Sequence, residues 1–193
     1  MKKLLLLALT LPALFGYSQK WESKYDYVDN CVCGLAQVKK DGKVGYVNKS
    51  GVEIISPQYD EGLTFNEGYA AVRKDTKWMY LDSTGKAITE PVYDEALDFN
   101  DGLASVSRNK LYGYINTSGK EAIPIHFANA HNFAEGLAPA ENDNGLWGFI
   151  DTRGNWAIEP MYAYADIFTN GEARVMKDEK LFYIDKKNNK LHD

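Results

Sequence analysis

The stretch Gly145-Leu146-Trp147-Gly148-Phe149-Ile150-Asp151-Thr152-Arg153-Gly154 sets an aromatic strand with one glycine in it ahead of an Asp-x-x-Gly turn. The same grammar returns as Val44-Gly45-Tyr46-Val47-Asn48 with Gly51, Trp78-Met79-Tyr80-Leu81-Asp82 with Gly85, Tyr112-Gly113-Tyr114-Ile115-Asn116 with Gly119, and Leu181-Phe182-Tyr183-Ile184-Asp185 with Asn188. Their first members step by 34, 34, 35 and 34 residues. A fixed period of this size marks a repeat array, in which each unit buries its apolar face on its neighbours.

Working outward, each period begins with an aromatic: Tyr25, Tyr59, Tyr93, Phe127 and Tyr162. Cut there, the units run 25–58, 59–92, 93–126, 127–161 and 162–193. Six residues later stands Cys31, Phe65, Phe99, Phe133 or Phe168, and three further on a glycine, as in Asn66-Glu67-Gly68 and Asn100-Asp101-Gly102. That composition predicts a tight corner, a type I turn closed by a glycine at positive φ.

A first strand follows each corner, with Ala36, Ala70, Ala104, Ala138 and Ala173 always alanine and Val38, Val72, Val106, Ala140 and Val175 two residues on. Period-two spacing puts that pair on an inward face and predicts that Gln37, Ala71, Ser105, Pro139 and Arg174 point to solvent or an edge. Asp41-Gly42 and Asn144-Gly145 are hairpin signals leading into the glycine-bearing second strand. In that strand Trp147 and Phe149 share one face, Gly148 and Ile150 the other; the glycine invites close approach of another backbone or ring. Met79 and Phe182 stand in its place in two units, which must pack differently there. A third, short strand (Ile54-Ile55, Ile88-Thr89, Ala122-Ile123, Ala157-Ile158) is expected to stop at Pro57, Pro91 and Pro160, with Pro124 shifted in the third unit. No window carries helical spacing over three turns.

The combination Phe-x-Glu-Gly-Leu-Ala, Leu-Trp-Gly-Phe-Ile-Asp-x-x-Gly and Ile-x-Pro-x-Tyr at 133–162 resembles the WG repeat, also called the KWG repeat, of bacterial proteins. The resemblance covers residues 25 to about 190. It departs at Val44, Tyr112 and Leu181 in the tryptophan position and at Met79 and Phe182 in the glycine position. It implies a β-rich repeat of exported or surface-associated proteins, with interaction as the presumed role. The expected fold is therefore all-β, five tandem three-stranded units of about 34 residues. Two arrangements fit: an open solenoid-like array, or a propeller-like ring closed by the segment around Trp21 to Tyr27 completing the last unit.

The N-terminus, Met1-Lys2-Lys3 followed by an apolar run to Phe15 and then Gly16-Tyr17-Ser18, reads as a signal peptide over residues 1–18. Cleavage after Ser18 leaves a leader at 19–24 and the repeat domain at 25–193, a chain of 175 residues. The apolar run is short of the roughly 20 residues that span a bilayer, so no membrane span is expected after cleavage. Without Lys2 and Lys3, 20 basic side chains face 27 acidic ones. A net charge of about −7 argues against a nucleic-acid partner, which needs a basic footprint.

Chemistry-bearing motifs are scarce. His126, His131 and His192 have no metal spacing, and no Gly-x-Ser-x-Gly, phosphate loop or dinucleotide fingerprint occurs. No catalytic residue, metal or cofactor is expected. The oxygen-rich loops at 98–102 and 141–145 lack EF-hand spacing and read as turns. Cys31 and Cys33, the only cysteines, fit an apolar slot of the repeat better than a strained disulfide. The informative rings are those the template does not demand: Trp156, where other units have Glu53, Ala87 and Glu121, and Tyr164 and Tyr27, where others have Glu61, Glu95 and Asn129. Exposed, they are candidates for partner binding, with Trp156 and Tyr164 forming a patch near the junction of the last two units or capping the end of the array. The sequence points to an exported, non-enzymatic interaction module for protein or envelope components; a carbohydrate-binding module reading polysaccharide through exposed rings, and an enzyme, are the alternatives.

Overall fold

The computed structural model describes residues 21–193, so the expected signal peptide lies outside the described residues. Five antiparallel sheets follow one another along the chain, each a meander built from its own unit. A short lead strand opens each sheet: Tyr27–Val28, Glu61–Gly62, Glu95–Asn100, Asn129–Ala130 and Tyr164–Ala165. The hairpin follows, with first strands Leu35–Lys40, Tyr69–Lys74, Leu103–Arg108, Leu137–Glu141 and Glu172–Lys177. Its second strands are Lys43–Asn48, Lys77–Asp82, Leu111–Asn116, Trp147–Asp151 and Lys180–Asp185. Closing strands, Glu53–Tyr59, Glu121–Phe127, Trp156–Tyr162 and Lys190–His192, complete four sheets. The expected five β units are thus present as sheets of three or four strands: four add the lead strand to the expected three, and the second has three. The lead strand escaped the sequence because in four units it is two residues long, too short for alternation to register.

The array is open. Tyr27 and Val28 pair with Lys39 and Val38 of their own sheet, and Lys190–His192 closes the fifth sheet from within. The N-terminal segment therefore does not complete the last unit. The unit aromatics also belong one sheet earlier than the cut implied: Tyr59, Phe127 and Tyr162 end closing strands, opposite Val44, Tyr112 and Trp147.

The glycine of the second strand admits backbone. A Cβ on Gly148 would lie 2.5 Å from the Ile158 carbonyl oxygen, and one on Gly45 would lie 2.5 Å from Pro57 N. The closing strand bulges there, its register jumping from Val44↔Tyr59 to Tyr46↔Ile55. Proline needs no ladder hydrogen bond inside a bulge, so the closing strands run through Pro57, Pro124 and Pro160 instead of stopping. Where Met79 replaces glycine, no closing strand forms. The segment keeps only the bridges Leu81↔Ala87 and Trp78↔Tyr93, and the Tyr80 amide donates to the Thr89 hydroxyl instead.

Both faces of the inner sheets are buried, because each sheet is packed between two others. Ala71, Ser105 and Pro139, expected at solvent or an edge, are enclosed, and Gln37 is 9% exposed; only Arg174, on the last sheet, is open. Tyr46, Tyr80, Tyr114 and Phe149 project from one sheet onto Phe65, Phe99, Phe133 and Phe168 of the next, with ring centroids 4.8–5.2 Å apart. Those phenylalanines are each 1% exposed. Cys31 occupies their slot in the first unit, yet both cysteines are free and exposed, since among the described residues no earlier sheet offers a ring to cover the slot.

The corners are two-residue hairpin turns with both central residues at positive φ, as at Glu67 (48°) and Gly68 (86°), closed by paired bonds between Asn66 and Tyr69. This is a type I′ turn rather than type I; its twist matches the strands it joins.

Candidate functional site

Many acidic side chains of the repeat hold backbone. Asp60 accepts from Lys43 Nζ at 2.6 Å and from the Asp75 amide at 2.7 Å; Asp94 does the same with Lys77 and the Asn109 amide. These bonds, the lysine's first, hold both carboxyls below the usual carboxylate range. Asp82, Asp151 and Asp185 clamp their Asx turns and are likewise lowered, by the Thr84 hydroxyl, the Asn155 amide and the Asn189 side chain respectively. At the corners a ladder runs between units. Glu67 accepts from the Asp101 and Gly102 amides, Asp101 from Gly136, and Glu135 from Gly171 while pairing with Lys186 at 3.0 Å. Among the described residues no group of three or more His, Cys, Asp or Glu gathers as metal ligands.

The three singled-out rings lie in three places. Tyr27, 48% exposed, sits on the lead strand of the first sheet. Trp156 is half-buried, edge-on to Phe127 at 5.6 Å, and packs with the third and fourth sheets. It lines a shallow cavity of about 130 Å³ with His126, Asn142 and Asp143. Tyr164 is half-buried on the fifth sheet under the Arg174 guanidinium, 5.9 Å from its ring centre. Trp156 therefore packs between the third and fourth sheets while Tyr164 lies under Arg174 on the fifth, and they form no common patch.

A site the sequence did not single out lies on the outer face of the fifth sheet. There Tyr183 occupies the position of Tyr46, Tyr80, Tyr114 and Phe149, which are 1% exposed or less. His192, bonded to Glu172 at 3.0 Å, stacks on its ring at 4.5 Å. The bond to Glu172 raises the His192 pKa above the ordinary imidazole value. Asp166, Ile167, Thr169, Glu172, Arg174 and Tyr183 line an open cavity of about 560 Å³. Its chemistry is one aromatic floor, one cation and two carboxylates.

A family profile described as the WG containing repeat matches residues 22–43, 45–78, 78–112, 112–145 and 147–180. The chain belongs to the WG-repeat family. No curated protein matches the chain in sequence. Among solved structures, the WG-repeat array is similar to the computationally designed Ika8 protein (TM-score 0.57, 14% identity, 85% of this chain and 60% of that one). It is also similar to a eukaryotic initiation factor (0.55, 10%, 88% and 57%) and to Hsv2p of Kluyveromyces lactis (0.54, 11%, 87% and 62%). The chain spans about 60% of the length of these structures, and at such identities the likeness is one of fold. The five WG-repeat sheets do not close into a ring. No helix among the described residues is long and apolar enough to cross a membrane.

Two departures of the last WG unit carried the signal for its open face: Glu172 in the slot of Leu35, Leu103 and Leu137, and Arg174 in the slot of Gln37, Ala71, Ser105 and Pro139. Tyr183 masked it by conforming to the template.

Proposed function

We propose that this chain is an exported, non-enzymatic interaction module that binds protein or envelope components through the surface of its repeats. The supporting observation is how the side chains are used. Acids of the repeat hold lysines, hairpin tips and corners, and the rings of the repeat pack sheet on sheet, while some of the unit-to-unit differences reach the surface. Tyr27, Trp156 and the face around Tyr183 and Tyr164 are such differences, displayed on a rigid frame. The reading is tested by cross-linking the purified chain into an envelope fraction of its source cell and mapping the footprint by hydrogen exchange. A partner protecting one of these surfaces supports it. Turnover of a wall or polysaccharide substrate by the purified chain would overturn the non-enzymatic part. Export is tested by sequencing the N-terminus of chain recovered outside the cytosol: it should start at Gln19, and a chain retained in the cytosol with Met1 in place contradicts it.

A polysaccharide partner is the second reading, favoured by the cavity where the Trp156 ring stands beside His126, Asn142 and Asp143. A ring edged by planar polar groups suits sugar stacking and hydroxyl bonding. Glycan-array binding that disappears in Trp156→Ala would select this reading over the first.

A further inference from the structure

The hairpin tips of the first three units are held by an aspartate of the same unit: Asp26, Asp60 and Asp94 accept from the amides of Asp41, Asp75 and Asn109 at 2.7–2.8 Å. At the first two junctions a lysine ammonium also sits on that acid, Lys43 on Asp60 and Lys77 on Asp94. The third junction lacks both parts: Ala128 stands in the aspartate slot and Leu111 in the lysine slot. The tip of the fourth unit is one residue longer and holds itself, with Asn142 Oδ1 accepting from the Asn144 and Leu146 amides at 2.9 and 3.0 Å. Asp143 is thereby left exposed on the tip, and among the described residues nothing bonds its carboxylate.

This carboxylate shares the cavity of about 130 Å³ with Trp156, Phe127, His126 and Asn142, and no lysine or arginine lines it. Phe127, 3% exposed, meets the indole edge-on at 5.6 Å and holds it in place. An aromatic ring beside an unpaired carboxylate, with no resident cation, is the chemistry that recognises an ammonium group. The cavity lies well below the roughly 300 Å³ at which pockets for whole small molecules begin, so it takes one group of a larger ligand. Two further side chains say what that ligand carries. His126 Nδ1 lies 2.8 Å from the Pro124 carbonyl, which places the ring proton there and leaves Nε2 as an acceptor. The Asn142 side-chain nitrogen is a donor, since its oxygen is occupied by the turn. A donor and an acceptor flanking an ammonium site match the hydroxyls beside the amine of a hexosamine, whereas a lysine stem or a choline methyl group offers them nothing. We infer that the cavity binds the protonated amine of a hexosamine polymer. The amine lies against Trp156 and pairs with Asp143, while Asn142 and His126 bond the neighbouring hydroxyls. A net charge of −5 on the chain favours the approach of such a polycation.

The inference rests on the polysaccharide reading above and narrows it to a charged amine. The probe is a glucosamine oligomer with free amines, titrated into the purified chain at mildly acidic pH and followed by backbone amide shifts and the Trp156 indole resonance. It should bind saturably and move that resonance together with the amides of residues 142–146. Binding should weaken at least tenfold with Asp143→Asn, an exposed change that leaves the turn bonds of Asn142 in place. It should weaken as much with Trp156→Ala, and as much again when every amine of the oligomer is N-acetylated. Binding unchanged in Asp143→Asn, or shifts that spread over the acidic surface and survive Trp156→Ala, would each overturn the inference. Equal binding of the acetylated oligomer, abolished by Trp156→Ala, would overturn it while the polysaccharide reading stands. No saturable binding of either oligomer removes both readings from this cavity. A choline or lysine-peptide probe that fills the cavity as tightly as the oligomer would overturn the hexosamine assignment.

Discussion

Tyr114 leaves the third sheet to meet Phe133 of the fourth edge-on, ring centroids 4.8 Å apart, and donates its hydroxyl to the His131 carbonyl at 2.7 Å. One side chain thus supplies both apolar contact and orientation at a junction. Phe133→Ala should destabilise the chain by about 3–5 kcal/mol, the range for emptying a buried aromatic site. Tyr114→Phe should cost about 1 kcal/mol by removing only the hydrogen bond. Denaturant unfolding of the two variants, compared at equal slope, checks the ratio.

Phe149 is the member of this series without a hydroxyl, so the last junction has the ring contact with Phe168, at 4.8 Å, and no tyrosine bond. In an array with nearest-neighbour coupling a weakened end unit opens before the rest. Phe168→Ala should release the fifth sheet first. Amide exchange would quicken at Ala173–Ile184 while Tyr46 and Tyr80 stay protected; uniform loss of protection would contradict this.

Burial raises the Asp98 carboxyl above the ordinary carboxylate value, and its Oδ1 is buried without a partner. A carboxyl whose folded pKa is raised favours the fold while protonated. That contribution falls away as pH climbs from the unfolded value through the folded one, leaving the charged form unfavourable at pH 7. Asp98→Asn should therefore stabilise at pH 7 by about 1 kcal/mol, because it removes the partly buried charge while leaving an oxygen without a partner, as Asn132 has in the same slot of the next unit. The gain should vanish at pH 3. Thermal melts at both pH values check it.

Glu135 shows the opposite sign. Lys186 first, and the Gly171 amide next, lower its pKa. Its stabilising bonds are then complete above the unfolded carboxylate value and are lost as pH falls through the depressed folded value. The Gly171 amide resonance should titrate at that depressed pKa in the native chain. Glu135→Gln should abolish the step without unfolding the protein.

Gly148→Ala drives a Cβ to 2.5 Å from the Ile158 carbonyl oxygen, which belongs to a paired strand and cannot step aside cheaply. A loss of roughly 1–3 kcal/mol is expected, with the closing strand Trp156–Tyr162 loosened as in the Met79 unit. Exchange at Ile158, measured against Ile150, would register it.

The repeat was legible because Gly148 and Trp147 recur in register with like residues, and period-two alternation in Ala36-x-Val38 identified the hairpin. The consequence of filling the glycine slot was legible only in part: the Met79 unit has no closing strand, whereas the Phe182 unit keeps Lys190–His192. Less visible was the burial of Ser105 and Pro139. A small or weakly polar residue facing another sheet looks like one facing an edge, and only the stacking of sheets decides between them. The acids at Glu67 and Asp101 were correctly read as turn residues, but their reach to the next corner spans about one repeat and leaves no local trace. The exposure of Tyr27 followed from its glutamate neighbours in other units. Trp156 instead found Phe127, because a large ring near an apolar cluster gains more from packing than from water.

The two ends of the array are unlike. Trp21 lies against Gly51 as Ile123 lies against Gly154, so the first described residues stand where the tail of a preceding unit would. The opposite side retains a working tyrosine under a light cover of charge. The molecule consequently has a direction: a designer could lengthen it after the fifth sheet by reverting Glu172 and Arg174 to the template, whereas a unit placed in front must first evict Trp21.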